Sequence, residues 1–168
     1  VTGGAGAIGS AIAKEFHAAG AEIMLVDKNA EHLQRVKSQI DPKISILQID
    51  VTQPGAPSRI IEAVTKIYGG VDILISNAGS AQQSSIINMD QQLLRDSFEL
   101  NFFAHFALGQ EVLKAFRKQA IDGQILFNVS KQAVNPGQNF GAYGLPKSSL
   151  FFLVRQMALE SGCHGVRV

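Results

Sequence analysis

With one cysteine, Cys163, the chain cannot form an internal disulfide, and no Cys and His residues stand at zinc-ligand spacing. Neither charge is in excess: 15 Lys and Arg face 14 Asp and Glu, a net +1. The charges are scattered, which argues against a nucleic-acid face or a patch for anionic membranes. No apolar run reaches the ~18 residues of a membrane helix, and no signal-peptide pattern is present. Internal repeats, low-complexity tracts and interdomain linkers are missing as well. These absences lead to the expectation of a cytoplasmic, metal-free protein with neither nucleic-acid nor membrane partners. The 168 residues, 46% hydrophobic and 17% charged, are enough for one globular domain with a substantial core.

What is present alternates. Ile8, Ile12 and Phe16 form a helical stripe that Gly20 stops, and the apolar run Ala21 to Asp27 then reads as a strand buried on both faces. Asn29 can cap a second helix that buries Leu33, Val36 and Ile40. Lys43 to Asp50 is a second strand, and Ile60, Ile61, Val64 and Ile67 mark a third helix ended by Gly69 and Gly70. Val71 to Ser76 is a third strand. A long helix is expected from about Asp90 to Lys118, then a strand from Gln124 to Val129 and a helix from near Tyr143 to Glu160. Val166 to Val168 reads as the start of one more strand. Strand–helix alternation with continuously apolar strands predicts an α/β fold, a doubly wound parallel sheet with helices on both faces, of the Rossmann type.

Two stretches carry chemistry. Gly3, Gly4, Gly6 and Gly9 lie directly before the first amphipathic helix. Small residues there allow a tight turn and close approach of a pyrophosphate to the helix N-terminus, although an ordinary strand–helix turn would use them too. Asp27 ends the next strand, eighteen residues after Gly9. A carboxylate at that point accepts hydrogen bonds from the adenine-ribose hydroxyls of NAD and repels the 2′-phosphate of NADP, so NAD is the expected cofactor. The neighbouring Lys28 reads as a solvated lysine.

In the second stretch Tyr143 and Lys147 stand four residues apart, one helical turn, with Ser130 thirteen residues before the tyrosine. A lysine ammonium beside a phenol favours the phenolate by charge attraction, which makes Tyr143 a candidate general acid/base. Taken alone, the pair is a common helical coincidence.

Together these motifs resemble the short-chain dehydrogenases/reductases. The family signature T-G-x-x-x-G-x-G matches Thr2 to Gly9, with Ala7 where the family has its middle glycine. The resemblance implies cofactor contacts from Gly3, Gly6, Ile8 and Gly9. It adds Asp50 and Val51 at the adenine, and Asn77, Ala78 and Gly79 as the N-A-G element, preceded by Ser76 where asparagine is usual. It further implies a catalytic set of Asn101, Ser130, Tyr143 and Lys147, with Pro146 replacing the usual serine before the lysine. Pro146 is expected to be tolerated in a first helical turn that starts near Tyr143.

The implied reaction is hydride transfer between nicotinamide and a carbinol or carbonyl carbon. Tyr143 moves the proton, Lys147 supports it and reaches the nicotinamide ribose, Ser130 donates to the substrate oxygen, and Asn101 holds a relay water. The segment Asn128 to Lys147 is similar to the dehydrogenase part of bifunctional aldolase/short-chain dehydrogenases. That likeness points to a small polyol, sugar phosphate or hydroxyaldehyde, with Ser130, Lys131 and Tyr143 facing the substrate. A lysine such as Lys131 is more often a solvated loop charge.

The family also implies a homodimer or homotetramer formed through the helices containing Phe98 to Phe106 and Tyr143 to Glu160. His17, His32, His105 and His164 read as helix or surface residues. Residues 1–168 are expected to be one dinucleotide-binding domain, an internal fragment lacking most of the family's first strand, its last strands and its substrate loop. The competing reading is a non-catalytic dinucleotide-binding or regulatory module on the same fold.

Overall fold

The computed structural model describes residues 1–168. Its strands are β1 (Met24–Asp27), β2 (Ser45–Gln48), β3 (Ile73–Ser76) and β4 (Gln124–Phe127). Its helices are α1 (Ala7–Ala18), α2 (Ala30–Ile40), α3 (Ala56–Tyr68), α4 (Gln91–Phe98), α5 (Ala104–Gln119) and α6 (Gly141–Ser161). All strand pairing is parallel: β1 lies beside β2, with Leu25 opposite Ile46, and β3 beside β4, with Leu74 opposite Ile125.

Val1 and Thr2 join the two pairs. Thr2 bridges to Val26, its N–H donates to the Ile75 carbonyl at 3.0 Å, and the Val1 carbonyl accepts from Val26 at 2.9 Å. At the other edge Arg167 pairs with Gln124. The spatial order is therefore β2, β1, Thr2, β3, β4, Arg167, the order of a doubly wound sheet. Beyond Thr2, an apolar cleft of about 420 Å³ separates β1 from β3, walled by Ile23, Met24, Val64, Ile73 and Ile75.

Alternate residues of β1 face opposite layers, as the two-residue strand period requires. Met24 and Val26 join Ile60 of α3 and Leu108, Val112 and Phe116 of α5 in the larger core cluster. Ile23 and Leu25 join Ala13 of α1 and Leu33 and Val36 of α2 in the smaller one. Helices thus cover both faces. Asn29 caps α2 as expected, its side chain accepting from the His32 N–H at 2.9 Å.

The long helical region expected from about Asp90 to Lys118 is unbroken helix from Gln91 to Gln119, with a change of helix type inside it. Between α4 and α5, residues Glu99–Phe103 form a five-residue π-helical bulge. An extra residue per turn rotates the side chains that follow, and such bulges mark functional segments. Asn101 sits inside this one. Helix α5 ends at Ala120, a non-glycine residue in the left-handed conformation at φ 54°.

Candidate active site

The glycine-rich loop is locked from below by Thr2. Its hydroxyl oxygen accepts from the backbone N–H groups of Asn77, at 3.0 Å, and Ala78, at 3.2 Å. Gly3 has a positive φ of 62°, and a Cβ on it would stand 2.9 Å from the Ala78 Cα. At Gly9 a Cβ would overlap the Gly3 carbonyl oxygen, so both glycines are required by space. Helix α1 starts at Ala7 behind Gly6, and no side chain caps its first turn. Ala7 is exposed at that start, so a methyl group is accommodated where the family signature has glycine. The free N–H groups of the first turn and the helix dipole make this end a site for an anion such as a pyrophosphate.

This loop opens one wall of a cleft of about 500 Å³. Gly3, Gly6, Ile8, Gly9, Asp27, Asp50, Val51, Asn77, Ala78 and Gly79, all expected from sequence to meet the cofactor, line it together. Asp27 accepts from the Ala5 N–H through one carboxylate oxygen and from the Asn29 N–H through the other, both at 3.1 Å. It therefore braces the glycine loop, and each oxygen keeps a lone pair for a ribose hydroxyl. Asp50 accepts from the N–H and the hydroxyl of Thr52 at 3.0 and 2.8 Å. The Thr52 N–H is the main reason its carboxyl titrates below the ordinary aspartate range. Lys28 also borders the cleft.

Lys147 comes close to the Gly79 part of the cleft wall. It is 2% exposed, and its ammonium donates to the Asn128 carbonyl at 2.8 Å. Burial lowers its pKa to about 8, which leaves it mostly charged near neutral pH. A Cβ on Gly79 would lie 3.7 Å from the Lys147 Nζ and 2.9 Å from the Asn101 Oδ1. Glycine at that position is what lets the Asn101 and Lys147 side chains approach the cleft wall. The Lys147 ammonium stands 5.8 Å from the centre of the Tyr143 ring, the same-face placement that four-residue spacing requires.

Ser130 follows β4 and caps the short 3₁₀ turn Lys131–Ala133, its hydroxyl oxygen accepting from the Gln132 N–H at 3.2 Å. That contact uses a lone pair and leaves the hydroxyl proton to donate elsewhere. The turn rests on the start of α6. Ser148 donates to the Ala133 carbonyl at 2.8 Å, and a Cβ on Gly144 would lie 3.1 Å from the Gln132 carbonyl. Ser130 and Tyr143 thus come from segments packed against each other. Lys131 is exposed and forms no ion pair.

Two expectations change in detail. Helix α6 starts at Gly141, before Tyr143, so Pro146 lies inside the helix beyond the first turn and removes one helical donor. Asn101 is fully buried, and both ends of its amide are engaged. Its Nδ2 donates to Ser80 O, Ser97 O and Ser97 Oγ, each at 3.1 Å, while Oδ1 accepts from the Ser80 N–H at 3.2 Å. The amide anchors the bulge to the segment after Gly79, with one Oδ1 lone pair left over.

Sequence reasoning missed Asn128, which joins the halves. Asn77 Nδ2 donates to the Thr2 carbonyl at 3.1 Å, Asn128 Nδ2 donates to Asn77 Oδ1 at 2.8 Å, and the Asn128 carbonyl holds Lys147. These contacts link the glycine-rich loop to the buried Lys147. Nothing in local pattern marks Asn128 beyond its place two residues before Ser130. His105, read as an ordinary helix or surface residue, is 2% exposed and lies beneath the cleft. Burial first, and the charge of Lys147 second, lower its pKa to about 3, so the ring is neutral.

The model of the short chain dehydrogenase family matches residues 1–168. The chain belongs to this family. It is 32% identical to the "Uncharacterized oxidoreductase YuxG" of Bacillus subtilis, over 100% of the chain and 25% of that protein. It is 32% identical to the 7alpha-hydroxysteroid dehydrogenase of Escherichia coli K12, over 100% of the chain and 66% of that protein. The crystal structure of a short-chain type dehydrogenase/reductase from Mycobacterium marinum superposes with a TM-score of 0.95 at 27% identity, covering 99% of the chain and 70% of that structure. The family is one of oxidoreductases with nicotinamide cofactors, and the cleft fits such a group: two glycines leave no room for side chains beside an uncapped helix N-terminus.

Proposed function

We propose that residues 1–168 form one dinucleotide-binding domain that catalyses NAD-dependent oxidation or reduction at a carbinol or carbonyl carbon, with Tyr143 as general acid/base. The observation that carries this is Lys147, a buried ammonium held close to Gly79 of the cleft wall and near the Tyr143 ring. A pure dinucleotide binder has no need of a desolvated cation beside a phenol.

The bound nicotinamide supplies or takes the hydride. Gly3, Gly6, Ile8 and Gly9 would hold its pyrophosphate, Asp27 the adenine ribose, and Asp50 and Val51 the adenine. Asn77, Ala78 and Gly79 would line the nicotinamide half with Lys147. Tyr143 takes the hydroxyl proton during oxidation and returns it during reduction, with the Lys147 ammonium held beside its ring. Ser130 donates to the substrate oxygen, where negative charge develops. Asn101 braces the wall beside Gly79. Asp27 supports NAD over NADP, since a carboxylate at the adenine ribose repels a 2′-phosphate.

The substrate proposed is a small polyol, sugar phosphate or hydroxyaldehyde, with the exposed, unpaired Lys131 beside Ser130 to meet an anionic group. The 7alpha-hydroxysteroid dehydrogenase relative acts, by its name, on a larger alcohol, and both are secondary-alcohol chemistry. Exposed Phe103, Phe106, Phe151, Phe152 and Leu159 on α5, α6 and the bulge support assembly into a homodimer or homotetramer.

Tyr143→Phe is the deciding experiment. It keeps the ring and removes the proton carrier, so turnover of a polyol and hydroxyaldehyde panel falls at least ~100-fold while NADH fluorescence still reports binding. Retained turnover would remove Tyr143 from the mechanism.

A further inference from the structure

Ser76 and His105 form a buried polar pair that the proposed chemistry leaves unused. Ser76 is 1% and His105 2% exposed, and Ser76 Oγ lies 2.7 Å from His105 Nδ1. The edge of the Phe127 ring system packs on the imidazole, with centroids 6.1 Å apart. His105 Nε2 makes no hydrogen bond of good geometry, and the Ala78 carbonyl is the backbone group that acts on the ring. A buried ring nitrogen left without a hydrogen bond is unfavourable, and an apolar side chain would avoid that cost. The imidazole stays because its other nitrogen holds Ser76.

The position of the pair gives that contact its consequence. Ser76 ends β3, and the next three residues are Asn77, Ala78 and Gly79, one wall of the cofactor cleft. His105 stands in the first turn of α5, immediately after the bulge whose Asn101 anchors Ser80 on the other side of Gly79. Contacts on both sides of the Asn77–Gly79 segment therefore run to one short stretch of helix. The Ser76 backbone is held by the sheet, its carbonyl accepting from the Asn128 N–H at 3.0 Å, and its hydroxyl is held by His105.

We infer that His105 is a positioning residue for the cofactor cleft, fixing through Ser76 the strand end from which Asn77–Gly79 forms the wall. This rests on the dinucleotide reading of that cleft. The predicted signature is a loss of cofactor affinity that tracks one shared contact.

NADH fluorescence titrations, paired with thermal unfolding, test it in the wild-type protein, Ser76→Ala, His105→Leu, the double variant and His105→Asn. Ser76→Ala and His105→Leu each weaken NADH binding about tenfold, the size of one lost hydrogen bond. The double variant is no weaker than the worse single one, because both remove the same contact. In His105→Asn an amide stands close to the place of Nδ1, and affinity returns to within about twofold of wild type. A lowered Tm with NADH affinity unchanged in both single variants would overturn the inference and leave a packing pair. Additive losses in the double variant would overturn it too. Should His105→Leu fail to fold, Ser76→Ala, which removes only a hydroxyl, decides by the same criterion. If wild type itself does not bind NADH, the dinucleotide reading falls first and takes this inference with it.

Discussion

Replacing Lys147 with Met separates what the buried ammonium costs the fold from what it gives the chemistry. Met has nearly the length of the lysine stem and adapts its shape, so no cavity is opened. Burial lowers the Lys147 pKa from 10.5 to about 8. A depression of about 2.5 units corresponds to roughly 3 kcal/mol of unfavourable desolvation while the group is charged. Below about pH 8 folded and unfolded states are both protonated, and the whole cost is present. Between about pH 8 and 10.5 the folded state releases its proton first, the unfolded state binds more, and wild-type stability rises with pH. Above that window the cost is relieved.

Urea denaturation of wild type and Lys147→Met at a series of pH values above 7, where His105 is neutral in both, reads the difference. The wild type should gain roughly 2–3 kcal/mol on the variant between about pH 7 and 10.5. At neutral pH the variant escapes the desolvation but leaves the Asn128 carbonyl unpaired, a loss of ~1–3 kcal/mol, so it is as stable as wild type or up to ~2 kcal/mol more so. Turnover should fall at least ~100-fold. A stability difference that stays flat across the pH range would refute the claim that this ammonium is desolvated. Loss of stability well beyond ~2 kcal/mol at pH 7 would show that the lysine holds the fold together.

Gly9→Ala puts a methyl group onto the Gly3 carbonyl, so NADH affinity should drop at least ~100-fold with little change in the far-ultraviolet spectrum; undiminished binding would contradict the tight loop. Ala120→Gly relieves a left-handed alanine at the end of α5 and should raise stability by ~0.5–1 kcal/mol in urea titration, whereas a loss would show that the methyl packs usefully. Lys131→Ala should raise KM for a phosphorylated polyol about tenfold and leave that for its unphosphorylated counterpart unchanged; equal effects on both would return Lys131 to a solvated role.

Element types and their order were legible from hydrophobic period alone, because buried parallel strands and amphipathic helices leave different repeats in the chain. The helix cap at Asn29, the phosphate loop and the one-turn pairing of Tyr143 with Lys147 were equally readable, since each depends on residues close in sequence. The π-bulge was not, because apolar residues every four positions from Phe98 to Phe106 look the same in one long helix. Nor was the start of α6, which moved Pro146 from a first turn into the helix body.

The glycines, Asp27, Ser130, Tyr143 and Lys147 announce hydride chemistry in one dimension, through spacing that any fold of this type must convert into a cleft. Only the tertiary structure sets Asn128 between Asn77 and Lys147, turns the Asn101 amide toward Ser80 and Ser97, and buries His105 against Ser76. Those partners lie 4 to 51 residues apart and carry no periodic signal. What holds them is the low-dielectric interior, where every buried polar group must find a partner, and which partner it finds depends on where the strands end.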